Sequence, residues 1–274
     1  MLKLSLDTGY LRLKNCRYGL MLYLPKDQYV GQALDLCGEF SEAEVAFFRS
    51  VIQPNWTVLD IGANHGTHTV ALARIAKKVL AFEPQRIIYQ ILTANVALNA
   101  LENVHVYNTA LGSKSGVITV PDVNYSHVNN FGAINLESDS NASGELVPLI
   151  TIDSLQLQAC HFMKVDAEGM ESEVLTGAHE TIFRFKPLLY VENDRFEKSE
   201  ALIEHLFKLG YDLYFHLPPY FNPNNYFGQP ANELMVWRNQ ISINMFGVHK
   251  SSTRIFDTVK TLRKITSPQD TWNG

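Results

Sequence analysis

An α/β fold, with a largely parallel sheet and helices on both faces, is what the hydrophobic pattern of this chain predicts. Three observations predict it. Five short apolar runs, at 56–61, 79–83, 104–108, 161–166 and 187–192, have the length of buried strands. Segments 66–77, 85–100, 169–183 and 197–209 fall around them with apolar residues at helical spacing. The last two apolar runs, 211–217 and 241–248, have no helix between them, so they are expected to close the sheet as an antiparallel pair.

Each element has its own warrant. Residues 17–30 alternate loosely and suggest a small hairpin. Ser41 and Glu44 fit a capping box that opens a helix running to about Ile52, broken by Pro54 and Asn55. In 66–77, Val70, Leu72, Ala73 and Ala76 face inward. In 85–100, Ile87, Ile88, Ile91, Leu92 and Leu98 share a face. Residues 117–120 and 145–150 read as β segments around a long polar loop, 121–143, of a length usually tied to function or mobility. Asp153 is placed to cap a short helix over 154–159. Met170, Val174, Leu175, Ala178 and Ile182 line one side of the helix from Gly169 to about Phe183. Gly210 suits the C-terminal end of 197–209. A C-terminal helix ending near Ile265 and a tail complete the chain. The division expected is 1–54 as a hairpin and helix extension, 55–250 as the main domain, and 251–274 as C-terminal helix and tail.

Composition narrows the function classes. At 274 residues, 46% hydrophobic and 19% charged, the chain can build a sizeable core. Its net charge of −5, with no basic stripe, argues against a nucleic-acid partner. Cys16, Cys37 and Cys160 form no CxxC pair, so neither a zinc site nor a disulfide framework is expected. No apolar run reaches membrane-span length and no leader is visible at the start. A cytoplasmic protein is the simplest expectation.

The chemistry concentrates at strand ends, where ligands sit in open α/β sheets. The first run closes on Asp60, followed by Gly62-Ala63-Asn64-His65-Gly66 and a helix. Gly62 allows a tight turn and Gly66 a close approach of helix to strand and ligand. The helix start, with Thr67, suits an anionic carboxylate or phosphate. A dinucleotide fold wants glycine where Asn64 stands, and an acid in the turn sits badly beside a pyrophosphate. Asp60 fits a cofactor carrying an ammonium, as S-adenosylmethionine does. Glu83 ends the second strand, where a carboxylate can accept both ribose hydroxyls.

The segments VLDIGANHGTHTVALA, AFEP, NTALGSKSG, TIDSL and MKVDAEGMESEVLTGA, in that order, resemble the FkbM family of S-adenosylmethionine-dependent methyltransferases. The resemblance covers roughly 38–195. It implies a three-layer αβα, Rossmann-like class I methyltransferase fold with a seven-stranded, mostly parallel sheet and an antiparallel last strand. It implies cofactor roles for Asp60, Gly62, Asn64, Gly66 and Glu83, and a place for Asn108 beside the adenine. Asn64 in place of a glycine is usual for this family. The resemblance also points to a hydroxyl as methyl acceptor, hence to O-methyl transfer.

Acids converge on the same rim. Asp166 and Glu168 end the fourth strand; Glu192, Asn193 and Asp194 end the fifth. Asp166, Glu168 or Glu192 could act as a general base, its pKa raised by crowding. Alternatively Asp166, Glu192 and Asn193 could hold a divalent cation such as magnesium. Acids at these positions also simply favour helix starts. Lys164 reads as a structural ion-pair partner. His65 and His68 read as packing or hydrogen-bonding residues, while His127, in the polar loop, is a further base candidate. The connector 218–240, with Tyr220, Phe221, Tyr226, Phe227 and Trp237, suits either a sugar-stacking wall or a flap packed on the core, with 127–135 as the other wall. The acceptor expected is a small molecule, saccharide or glycan precursor. An NAD-dependent oxidoreductase and a non-catalytic protein of the same fold are the alternatives.

Overall fold

The five apolar runs form neighbouring parallel strands in the computed structural model, which describes residues 6–134, 143–252 and 256–273. In chain order the elements are β1 (Leu6–Asp7), β2 (Arg12–Cys16), β3 (Gly19–Tyr23), α1 (Val30–Cys37), α2 (Glu42–Val51), β4 (Thr57–Ile61), α3 (Thr67–Ala73), β5 (Lys78–Phe82) and α4 (Arg86–Leu98). There follow β6 (Val104–Tyr107), β7 (Ala110–Leu111), β8 (Gly116–Pro121), β9 (Gly144–Ile150), β10 (Phe162–Val165), α5 (Glu171–Thr176), α6 (His179–Phe185) and β11 (Leu188–Glu192). The chain ends with α7 (Phe196–Lys208), β12 (Tyr211–His216), β13 (Asn244–His249) and β14 (Arg263–Ile265).

The main sheet runs β14-β12-β13-β11-β10-β4-β5-β6. Strand β13 inserts antiparallel between β11 and β12, as the helix-free connection before it requires. This is the class I methyltransferase architecture, with eight strands in place of seven. The additional strand is β14, antiparallel on the free edge of β12. It stands where a C-terminal helix was expected; only a 3₁₀ turn, Asp257–Thr261, precedes it, and 253–255 lie outside the described residues. Leu213 pairs with Ile265, which is buried, so one apolar anchor decides the matter for the sheet. Among the described residues no helix is long and apolar enough to cross a membrane.

Helices cover both faces. One face buries Val174, Leu175, Ile182 and Ile203 from α5, α6 and α7; the other buries Phe47, Phe48, Val70 and Leu72 from α2 and α3. The N-terminal hairpin is real but pairs over 12–23, earlier than expected. Its strand β3 is held by α4. Asn95 and Asn99, one helical turn apart, each satisfy both the N–H and the C=O of one strand residue, Leu22 and Leu20 respectively. Side chains thus close an edge that would otherwise be open. This also explains why Leu98, expected on the buried face, is 42% exposed, whereas Asn95 is buried.

Four further expectations are corrected by local structure. The Ser41 capping box does not form: Ser41 is left-handed, makes no capping bond, and Glu44 turns into the protein instead. The helix after Thr67 stops at Ala73. The helix expected from Gly169 to Phe183 is two helices. Gly177 touches the Gly112 carbonyl too closely for any side chain, a Cβ there falling 2.0 Å from that oxygen. Asp153 then caps the second piece, α6, accepting the N–H groups of Glu180 and Thr181 at 3.0 and 2.8 Å, rather than a helix over 154–159.

Candidate functional site

A cavity of about 540 Å³ opens at the carboxyl ends of β4, β5, β10 and β11. The β4 turn forms its floor. Gly62 has φ 74°, and a Cβ there would lie 1.7 Å from the Asp166 carbonyl oxygen, so only glycine lets the ends of β4 and β10 touch. Gly62 and Ala63 both donate to the Phe82 carbonyl, which ties the turn to β5. At Gly66, φ 88°, a Cβ would press on Leu92 of α4 at 2.5 Å. Asn64, also left-handed at φ 51°, accepts from the His65 N–H at 2.7 Å through its own side chain.

Glu83 closes this half. Its two carboxylate oxygens accept the N–H groups of Asn64 and Gln85, both at 2.9 Å. It is buried and lines the cavity, and burial pushes its pKa up to about 7 against those two backbone bonds. Each oxygen retains a lone pair for a further donor. Thr67 and Asn64 line the cavity beside it.

Two residues expected at the cofactor lie elsewhere. Asp60 is fully buried beneath the floor, where it accepts from the Thr69 hydroxyl at 2.6 Å and faces the Lys164 ammonium at 3.7 Å. It does not line the cavity. Nor does Asn108, whose amide donates to the Glu83 and Pro84 carbonyls, both at 2.9 Å, and so fixes the end of β5. Thr109 and Ala110 line the wall in its stead.

The acid rim assembles with one exchange of members. Carboxylate oxygens of Asp166, Glu168 and Glu192 lie within 4.8 Å of one another. Asn193 is buried off the cavity lining, and its amide donates to Ser199 of α7 at 2.9 Å. Of the cation-ligand set expected, Asp166 and Glu192 line the cavity and Asn193 does not. Lys164 lies 2.8 Å from Asp166, and Arg195, which sequence reasoning missed, lies 3.0 Å from Glu168. Three crowded carboxyl groups cannot all ionise. Burial works against the Asp166 carboxylate, but the Lys164 charge and the hydrogen bonds from Glu192 and Lys164 together outweigh it and hold the group below its ordinary value. Burial, then the Asp166 charge, pushes Glu168 up to about 8. The same two causes push Glu192 well above its ordinary value, so it keeps its proton and donates it to Asp166.

The far wall comes from residues distant in sequence. Glu44 of α2 lies 3.3 Å from the Nε2 atom of His68 of α3, and both line the cavity. Burial pushes His68 down to about 3, so its imidazole is neutral. Of the five connector aromatics, Tyr220 alone lines the cavity, stacked on Phe40 at 5.5 Å between centroids. Trp237 and Phe221 pack instead with Ala33 and Cys37 of α1, and Phe227 covers Gly38. The connector is thus largely a flap seated on the N-terminal extension. The other expected wall holds: Asn130, Gly132, Ala133 and Ile134 line the cavity, while 135–142 lie outside the described residues. His127 is exposed and off the cavity. Glu44 carried no signal in the sequence, since its capping-box reading was the stronger one. Arg195 follows directly on the acids of β11 and was legible as their counter-charge.

A 55-residue stretch, a fifth of this chain and a fifth of the curated relative, is 44% identical to a probable ribosomal RNA small subunit methyltransferase A of Methanosphaera stadtmanae. Among solved structures, an FkbM methyltransferase of Methylobacillus flagellatus matches with a TM-score of 0.49 and 16% identity, over 75% of this chain and 50% of that one. The tRNA m1G37 methyltransferase of M. jannaschii matches with a TM-score of 0.45 and 14% identity, over 89% of this chain and 58% of that one. The chain thus spans only part of the length of these relatives. The family model for the methyltransferase FkbM domain matches residues 60–213, from the buried Asp60 to the middle of β12. With more than half its length so matched, this chain belongs to the FkbM methyltransferase family, a membership that implies S-adenosylmethionine as methyl donor.

Proposed function

We propose that this chain transfers the methyl group of S-adenosylmethionine to a hydroxyl of a small molecule, saccharide or glycan precursor. The observation that carries the reading is one cavity shared by two chemistries, Glu83 and the glycine turn on one side and the Asp166–Glu168–Glu192 cluster on the other. The donor set fits the cofactor: a buried carboxylate with spare lone pairs for a ribose diol, a turn in which Gly62 tolerates no Cβ, and acids beside it for a cationic ligand. When bound, the sulfonium supplies an activated methyl group. Residues 55–250 form the catalytic unit in this reading, and 1–54 contribute a wall.

Glu168 is the proposed proton acceptor. A base works best with a pKa near the working pH, and burial with the charge of Asp166 brings Glu168 into that range. Arg195 fixes its carboxylate, and Glu192 lends its proton to Asp166. No divalent cation is required, because Lys164 and Arg195 already neutralise two of the three acids.

The test is transfer of a labelled methyl group to a panel of hydroxylated small molecules and saccharides, with ribosomal and transfer RNA included, in EDTA and in magnesium. The reading expects label on a hydroxyl oxygen without magnesium, and a loss of about 100-fold in kcat for Glu168→Gln. Label on RNA, or a strict need for magnesium, would overturn it.

A further inference from the structure

Behind the β4 turn lie two buried titratable groups that the proposed reaction leaves unused. His65 belongs to the turn itself and Asp27 to the connection between β3 and α1. Both are fully buried, with His65 Nδ1 3.5 Å from Asp27 Oδ2, and neither lines the cavity. Asn64 touches His65 and does line the cavity.

The hydrogen bonds around Asn64 leave one arrangement. A backbone N–H can only donate, so the side-chain atom 2.7 Å from the His65 backbone nitrogen is the carboxamide oxygen. The same oxygen lies 2.6 Å from His65 Nδ1, so Nδ1 carries the imidazole proton. The other ring nitrogen agrees, since Nε2 accepts the Leu24 N–H at 3.5 Å. Burial pushes the His65 pKa down to about 3, which keeps the ring neutral with that single proton. The Asn64 oxygen thus takes two N–H groups of His65, and its amide nitrogen is turned the other way. There it faces Gly132 of the cavity wall, where a Cβ would lie 2.9 Å from the nitrogen. Among the described residues no acceptor meets that nitrogen. His65 is itself anchored from behind. Asn95 donates to the His65 carbonyl at 2.8 Å and to the Leu22 carbonyl at 2.9 Å, which ties the turn to β3. The connection carrying Leu24 and Asp27 is equally tight: a Cβ at Gly31 would fall 1.9 Å from the Leu24 carbonyl oxygen.

We propose that His65 is a positioning residue for the methyl donor: it holds the Asn64 carboxamide so that the amide N–H groups face the cavity and donate to an oxygen of S-adenosylmethionine. An amide fixed beforehand binds without the cost of ordering it. Turning it over would set its N–H groups against those of His65, so the donor meets a hydrogen-bond donor there and not an acceptor. The N-terminal extension thereby takes part in donor binding through the ring it anchors, without contact of its own with the donor.

This inference rests on the methyl-transfer reading, and the two fail at separate steps. The unaltered protein is first titrated calorimetrically with S-adenosylhomocysteine; absence of binding there sinks both. Two substitutions of His65 then separate positioning from packing. His65→Asn keeps an N–H where Nδ1 stands, whereas His65→Gln moves it to the place of Nε2. His65→Gln should weaken S-adenosylhomocysteine about tenfold, the scale of one lost hydrogen bond, and His65→Asn should restore most of that loss. Asn64→Gly, which suits the left-handed turn, should weaken binding to a similar degree, and adding His65→Gln to it should cost nothing more. Equal weakening by the Asn and Gln variants, unchanged binding in His65→Gln, or losses that multiply in the double variant would overturn the proposal. Imidazole nitrogen NMR of the unaltered protein serves where the variants do not fold. It should show the His65 proton on Nδ1, and a proton on Nε2 would overturn the proposal equally.

Discussion

The two halves of the cavity are built on different terms. The half around Gly62 and Glu83 is assembled from adjacent strand ends, held by backbone hydrogen bonds that leave little freedom. The other half joins α2, the 130–134 segment, the β12–β13 connector and the acid rim, elements far apart in sequence. The first half is fixed by local rules of turn and strand; the second depends on tertiary packing and on carboxyl groups that share protons. Under the proposed function, such a division would let one half hold a common donor while the other varies with the acceptor.

Lys164 lies where the halves meet, and its loss should have the largest effect. Lys164→Met leaves Asp60 and Asp166 without their buried cation and should cost about 3–5 kcal/mol, read from urea unfolding. Gly62→Ala comes next. It forces a strained φ and a clash with the Asp166 carbonyl, for about 3 kcal/mol of stability and the loss of detectable S-adenosylhomocysteine binding. Asn95→Ala strips the partners from the Leu22 backbone and should cost about 1–3 kcal/mol, with the hairpin amides exchanging faster.

The acids predict a pH dependence of known sign. Glu83 rises from 4.5 to about 7 and Glu168 from 4.5 to about 8 on folding. The folded chain therefore binds these protons more tightly than the unfolded chain. Their contribution is present below pH 4.5 and is lost as pH rises towards 8. Without donor, Tm should be lower at pH 8 than at pH 5, and Glu83→Gln should flatten the difference. Asp166 shifts the opposite way, and its contribution is lost only in acid, below the window of the other two. The smallest effect is expected at His127, exposed and outside the cavity: His127→Ala should change stability by less than about 0.5 kcal/mol and leave methyl transfer unchanged.

What the sequence made legible follows the same division. Gly62, Asn64, Gly66 and Glu83 could be placed because a turn between buried strands imposes residue types at fixed spacing. Asp60 and Asn108 showed as members of that motif, but nothing local told whether they face a ligand or brace the turn from beneath. Glu44 and His68 were hidden for another reason. Their meeting requires α2 to pack across α3, and no periodicity within either helix announces that contact. Strand β14 was read as helix because three residues are too few for alternation to show.

The central claim is that the β4 turn and Glu83 hold the methyl donor. Calorimetric titration with S-adenosylhomocysteine, beside NADH, tests it most directly. Saturable binding of S-adenosylhomocysteine but not NADH, weakened at least 100-fold in folded Glu83→Ala protein, is the result expected. Binding of NADH instead, or S-adenosylhomocysteine binding that ignores the Glu83→Ala change, would contradict it.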